Sequence, residues 1–448
     1  MARFVSISFL LAVVTAMAAT TFLPARAAEL TIDILPHAAL DTVEDVVVVI
    51  RGGAPGEEVT LETKAVDRLG DTWTARNTYV FDPNGTVDIA RQIPFEGTYD
   101  AVDPRGPFWS MARDRERLAP WGFGRHAKQL PQFFIPTRGA HRVSLTAKSG
   151  RNEADAVVAF STWNSDVVRR TVSDPLIIGT FYEPDTPSPW PVVIVLGGQS
   201  FGYRSAQFNA ARLASAGYGA LALAYAGVDG TPRHLTGIPL EYFDDALSWV
   251  RAQINVDARH IAIMGVGFDS GLALLLAAQN PNTYRAVIAG NPHAVTFPAL
   301  GQRGSPLTRN RALIAHAPLA HWDDDYAKTG HPLYIYEKSL ILFEDAVTAA
   351  RIPVEQTKSA ILLVSGSSDL IQPSERMGRM IVESMVDAGL GDQVRHVVFP
   401  DAGAMLSGDG VLPTGPGVPR FGGSAQGIAT AQFYGWREVL SFLEVHLR

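Results

Sequence analysis

Two patterns of apolar and polar positions divide the chain. From Glu29 to about Trp163 apolar residues come in short runs that alternate with polar ones. Val46-Val47-Val48-Val49-Ile50 is β-branched, residues 59–65 alternate, and Tyr79-Val80-Phe81 leads into the turn signal Asp82-Pro83-Asn84-Gly85. The hairpin is expected to continue at Thr86-Val87-Asp88-Ile89, and the runs 141–147 and 156–160 flank a second turn at Ser149-Gly150. Short strands punctuated in this way predict a β-sandwich. From about Asp166 near-continuous apolar runs at 191–196, 219–224, 261–264, 286–289 and 360–364 are separated by helical segments, and a last helix spans about 425–446. That rhythm predicts an α/β domain with a mainly parallel sheet covered on both faces.

The first residues stand outside both patterns. Arg3 is followed by an uncharged apolar stretch over 4–23, and Ala25-Arg26-Ala27 offers a cleavage site. Residues 1–27 therefore read as a secretory signal, and the mature protein is expected in the periplasm or outside the cell. The alternative is an uncleaved N-terminal membrane anchor, because the stretch approaches the roughly 20 residues that span a bilayer. The domains are then expected over 28–165 and 166–448. Removing Arg3 and Arg26 with the signal takes the formal charge from −7 to −9, which argues against nucleic acid as a partner. With no cysteine, disulfides, thiolate zinc sites and thiol catalysis are excluded.

Residues 259–278 read as an apolar strand, a tight turn and an apolar helix. In an α/β-hydrolase such a turn is the elbow Gly-x-Ser-x-Gly, which holds the nucleophile above the sheet. Here it reads Gly265-Val266-Gly267-Phe268-Asp269, with glycine in the nucleophile's place and aspartate where the closing glycine belongs. Several further segments resemble the family of acyl-CoA thioesterases and bile acid-CoA:amino acid N-acyltransferases, which joins a β-sandwich to an α/β-hydrolase. They are Gly97-Thr98-Tyr99-Asp100-Ala101-Val102-Asp103-Pro104 with Phe108-Trp109-Ser110-Met111, then Ala222-Leu223-Ala224-Tyr225, Pro239-Leu240-Glu241-Tyr242-Phe243 and Phe421-Gly422-Gly423.

The resemblance implies a Ser-Asp-His triad, in which the histidine takes the serine proton and the acid orients the histidine. The nucleophile position falls on Gly267, the acid on Asp369 in Gly366-Ser367-Ser368-Asp369, and the histidine on Ala404 in Phe399-Pro400-Asp401-Ala402-Gly403-Ala404. Only the acid remains. Losing nucleophile or base alone costs on the order of 10⁶ in rate in a triad that acts as a unit. An oxyanion hole can persist without them, its amides expected from Phe268 and from the loop at Gly198-Gln199.

Four residues are candidates for displaced chemistry: Asp269, in the first helical turn where the helix dipole also favours a carboxylate; Ser270, one turn past the elbow; His293, after a strand ending at the same sheet edge; and Ser200, near the oxyanion loop. His316 and His321 lie in a polar insertion where a lid is possible. No histidine pair falls in a zinc motif, so no metal is expected. Gly265-x-Gly267-x-x-Ser270 imitates a dinucleotide fingerprint, but the next strand ends in Gly290-Asn291 without the ribose-binding acid, and no cofactor is expected. The expectation is an exported, catalytically degenerate hydrolase fold that binds an acyl or other apolar ligand, or a protein partner. The alternative is an active ester or thioester hydrolase with a rewired centre.

Overall fold

A computed structural model describes residues 29–40, 46–113, 140–198, 202–321, 330–415 and 418–448. The N-terminal part is built from two sheets. One has three antiparallel strands, Thr31–Leu35, Val47–Arg51 and Thr86–Asp88. The other runs in the order Ala38–Leu40, Asn152–Ser161, His141–Ser149, Glu58–Val66, Thr72–Val80 and Glu96–Gly97, with Ala112–Arg113 also on Thr72–Val80. Strict alternation of buried and open positions along Glu58–Val66 and His141–Ser149 puts Val59, Leu61, Val143 and Leu145 into the core between the sheets.

One expectation about this part is corrected. Residues 86–88 do not pair back on the strand that ends at Val80; they pair with Val47–Arg51 in the other sheet. Asp82 explains the crossing. Its Oδ1 accepts from the Asn84 and Thr86 amides at 2.9 and 2.8 Å, which tightens the turn and sends the chain to the facing sheet.

The C-terminal part holds an eight-stranded sheet, its strands labelled here in chain order: β1 (Val168–Thr171), β2 (Ile178–Glu183), β3 (Trp190–Gly197), β4 (Gly219–Ala224), β5 (Val256–Val266), β6 (Ala286–Gly290), β7 (Ala360–Gly366) and β8 (Val394–Phe399). Their spatial order is β1-β2-β4-β3-β5-β6-β7-β8, antiparallel only where β2 meets β1 and β4. The parallel strands carry apolar runs at their buried positions, such as 261–264 in β5 and 361–364 in β7, because helices cover both faces. The helices used below are α1 (Gly202–Ser215), α2 (Glu241–Arg251), α3 (Phe268–Gln279), α4 (Leu333–Leu342), α5 (Ser374–Asp387) and α6 (Ala425–Leu447). α6 is capped by Ser424, whose hydroxyl accepts from the Gly427 amide at 2.9 Å.

The two parts interlock. Val411, from the loop after β8, lies in the core of the sandwich, and the Thr414 amide donates to the Trp109 carbonyl at 3.1 Å. Asp103 accepts from Trp109 Nε1 at 2.9 Å and from Arg105 Nε at 3.2 Å, and the Arg105 guanidinium lies 3.9 Å above the ring of Phe433 on α6. Among the described residues no helix is long and apolar enough to cross a membrane.

Candidate functional site

β5 turns into α3 through Gly267 alone, at φ 62° and ψ −127°. This is backbone that an L-residue adopts only under strain. Two residues earlier, a Cβ on Gly265 would lie 2.0 Å from the Asp269 carbonyl oxygen, so the turn closes only with glycine there. The Gly267 amide donates to the Gly290 carbonyl at 2.8 Å. The bend of a nucleophile elbow is thus present, with no side chain at its apex.

Asp269 points back across the sheet edge and is almost wholly buried. The Tyr225 hydroxyl donates to its Oδ1, and the Gly198 amide donates to its Oδ2 at 3.3 Å. Burial pushes the Asp269 carboxyl up to about 7, against the lowering effect of those two bonds. The Gly198 amide, expected to face an oxyanion, is therefore directed to an internal carboxylate. Gln199 and Ser200 lie outside the described residues. Phe268 opens α3 and packs half-buried against the larger core of the domain.

Ser270 does not crown the bend. Its hydroxyl shares a proton between the Gly267 and Asn291 carbonyls, at 2.5 and 3.2 Å, and accepts from the His293 amide at 3.1 Å. It is a fully buried staple between the elbow and the segment after β6, which leaves it no freedom to attack a ligand. His293 reaches the elbow only through that backbone contact. Its ring sits edge-on to Phe297 and Tyr336, and its Nε2 donates to Gln372 Oε1 at 2.7 Å. Burial pushes the imidazole down to about 4, so it is neutral near pH 7 and its Nε2 proton is committed.

Asp369 follows β7. Its Oδ1 caps the next turn, accepting from the Ile371 and Gln372 amides at 2.8 and 3.1 Å, and its Oδ2 accepts from Asn291 Nδ2 at 3.1 Å. Burial outweighs these bonds and pushes the carboxyl up to about 6. Asn291 is held at φ 46°, and its Oδ1 is buried with no hydrogen-bond partner among the described residues. Ala404, the position at which the resemblance leads one to expect a histidine, presents a methyl group. Its amide donates to the Phe421 carbonyl at 2.7 Å, and Leu370, next to the acid, donates to the same oxygen at 3.3 Å. The acid turn and the loop of position 404 are thereby tied together.

Gly267, Asp269, Ser270, Asn291 and Asp369 are thus joined at one edge of the sheet, but among these residues no nucleophile is paired with a base. Tyr225, Asn291 and Gln372 complete the constellation. The first two stood inside segments already singled out in the sequence, whereas Gln372 carried no signal of its own. His316 is half-buried and His321 exposed, both in the insertion after β6. Among the described residues no three His, Asp or Glu side chains are grouped as metal ligands would be. A cavity of about 40 Å³ lies under the elbow, walled by Val266, Ile288, Val364, Leu406 and Trp436. A second, of about 10 Å³, is bounded by Asp269, Ser205, Asn209 and Met264. Both are far smaller than the roughly 300–1,000 Å³ of a typical small-molecule pocket.

Residues 43–173 match a family profile described as the acyl-CoA thioester hydrolase/BAAT N-terminal region, and residues 238–448 match the corresponding C-terminal profile. Acyl-coenzyme A thioesterase 1 of Mus musculus is 25% identical over 94% of this chain and 97% of its own length. The mitochondrial acyl-coenzyme A thioesterase 2 of Rattus norvegicus is 25% identical over 90% of this chain and 86% of its own. Among solved structures, an acylaminoacyl peptidase in complex with a chloromethyl ketone is similar at TM-score 0.41 and 14% identity, covering 90% of this chain and 59% of that one.

Proposed function

This chain belongs to the acyl-CoA thioester hydrolase and BAAT family, and from that premise we propose that it is a catalytically silent member that binds an acyl-chain or other apolar ligand. The observation that carries the reading is the empty apex of the elbow. Gly267 keeps the strained bend while Ala404 occupies the base position, so proton transfer from a nucleophile has neither donor nor acceptor. Two of the residues offered by sequence as replacements are engaged elsewhere, Ser270 with two carbonyls and His293 with Gln372. The leader-like pattern of residues 1–27 supports a place of action outside the cytoplasm, where N-terminal sequencing of the exported protein would find Ala28 first.

The test is hydrolysis of a panel of acyl esters and acyl thioesters by purified residues 28–448, beside Asp269→Asn and His293→Ala variants. Turnover at background in all three is expected. Turnover by the unaltered protein that disappears in either variant would overturn the reading in favour of a rewired hydrolase. A complementary experiment restores the missing groups with Gly267→Ser and Ala404→His together. Ester hydrolysis above background is the expected gain, and adding Asp269→Gly releases the Gly198 amide, for a further gain of up to the roughly 10²–10³ that one oxyanion donor contributes.

A further inference from the structure

We propose that the elbow site selects ligands whose head donates hydrogen bonds, a primary ammonium or a hydroxyl on an apolar body, and rejects carboxylate heads. The inference rests on the binding reading above and names the chemistry of its ligand. A site for acyl transfer presents donors to an oxygen that gains negative charge. In this chain the polarity is reversed. The Gly198 amide is consumed by Asp269, Asp369 stands beyond the elbow, and Asn291 Oδ1 is a buried acceptor that no described group satisfies. Asn291 is 2% exposed and its Nδ2 is fixed on Asp369, so the unsatisfied oxygen, on the same carbon, sits beside the acid, while the backbone carbonyl of the same residue accepts from Ser270 of the elbow. A buried acceptor without a donor is costly, which marks a place where a donor belongs.

Charge points the same way. Among the described residues no Lys or Arg is paired with Asp269 or Asp369, and desolvation dominates both carboxyls. An ammonium would bring both the countercharge and the missing N–H groups. A carboxylate head would meet like charge where screening is weakest. Size agrees as well: the cavity of about 10 Å³ beside Asp269, with Ser205 and Asn209 on its wall, holds about one water-sized group, as an ammonium or hydroxyl head is.

The experiment measures binding of octylammonium, octanol and octanoate to residues 28–448 by calorimetry at pH 8 and physiological salt, with Asp269→Asn and Asn291→Ala variants checked for folding by thermal melts. Octylammonium binding at least about tenfold tighter than octanoate is expected, with that ratio falling to about threefold or less in Asp269→Asn. Because the net charge is negative, a nonspecific attraction would survive the single substitution, and a ratio unchanged in both folded variants overturns the inference. Equal binding of the three heads, or tighter binding of octanoate, also overturns it while leaving the apolar-ligand reading in place. Failure of all three to bind, together with their dodecyl homologues, removes that reading itself and the inference with it.

Discussion

Two buried aspartates, Asp103 at the seam between the domains and Asp269 at the elbow, are nearly equal in exposure, 6% and 4%, and opposite in surroundings. Asp103 meets a guanidinium, an indole N–H and a backbone amide, and the guanidinium in turn covers the ring of Phe433. Asp269 meets a phenol and one amide, with no cation among its determinants. The first carboxylate is satisfied as a structural element is: every group that touches it is itself anchored in one domain or the other. The second has one neutral donor on each oxygen and no cation, and burial raises it to about 7. A buried charge of the first kind secures a shape, and one of the second kind is available to a ligand.

The contrast is broken most strongly at the seam. Asp103→Ala leaves the Arg105 guanidinium buried without its carboxylate, and a loss of about 3–5 kcal/mol is expected in urea denaturation. An equal loss from Asp269→Ala would erase the distinction. The pH profile sharpens it next. Because Asp269 and Asp369 are raised to about 7 and 6, the fold favours their neutral forms. The stability they contribute is complete below the ordinary carboxyl range near pH 4 and is lost as pH rises through 6 to 7. Urea midpoints should therefore fall between pH 5 and pH 8. Asp269→Asn should flatten that fall, by up to about 1.4 kcal/mol per pH unit over the Asp269 interval. His293, lowered to about 4, works in the other direction: its contribution is present above the ordinary histidine range and is lost as pH falls through 4.

Smaller effects are expected within the elbow itself. Gly267→Ala places a Cβ at φ 62° and should cost about 1–3 kcal/mol, measured by the thermal midpoint. A neutral result would show that the bend is less constrained than its dihedrals indicate. Ser270→Ala removes one buried hydroxyl and its shared proton, for about 1 kcal/mol. It should leave ligand binding and the hydrolysis baseline unchanged, since the hydroxyl belongs to the frame.

The strands β3 to β7 of the central sheet were readable because a buried parallel strand carries an unbroken apolar run, 191–196 in β3 and 360–364 in β7. The edge strand β1, Val-Arg-Arg-Thr, is exposed throughout and has no such pattern, so nothing in its composition announces it. The misassigned hairpin at residues 86–88 has a related cause: alternation marks a strand but not its partner, and the partner was decided by the capped turn at Asp82. At the site, glycine at position 267 and alanine at position 404 could be seen directly in residue type. The fates of Ser270 and His293 could not, because both depend on which carbonyls and amides the fold brings near them. Gln372 is the clearest case. It lies 79 positions from His293 in the chain, yet it fixes which ring nitrogen carries the proton.

The carbonyl of Phe421 draws two loops together, taking the amide beside the acid and the amide of position 404. A side chain disappears with one substitution, whereas an oxygen shared by two loops is lost only when both are rebuilt. The relative placement of positions 369 and 404 is consequently inherited through the main chain, independent of what the side chains do. On the catalytically silent reading proposed above, a catalytic group introduced at position 404 would arrive at an address that the backbone already maintains.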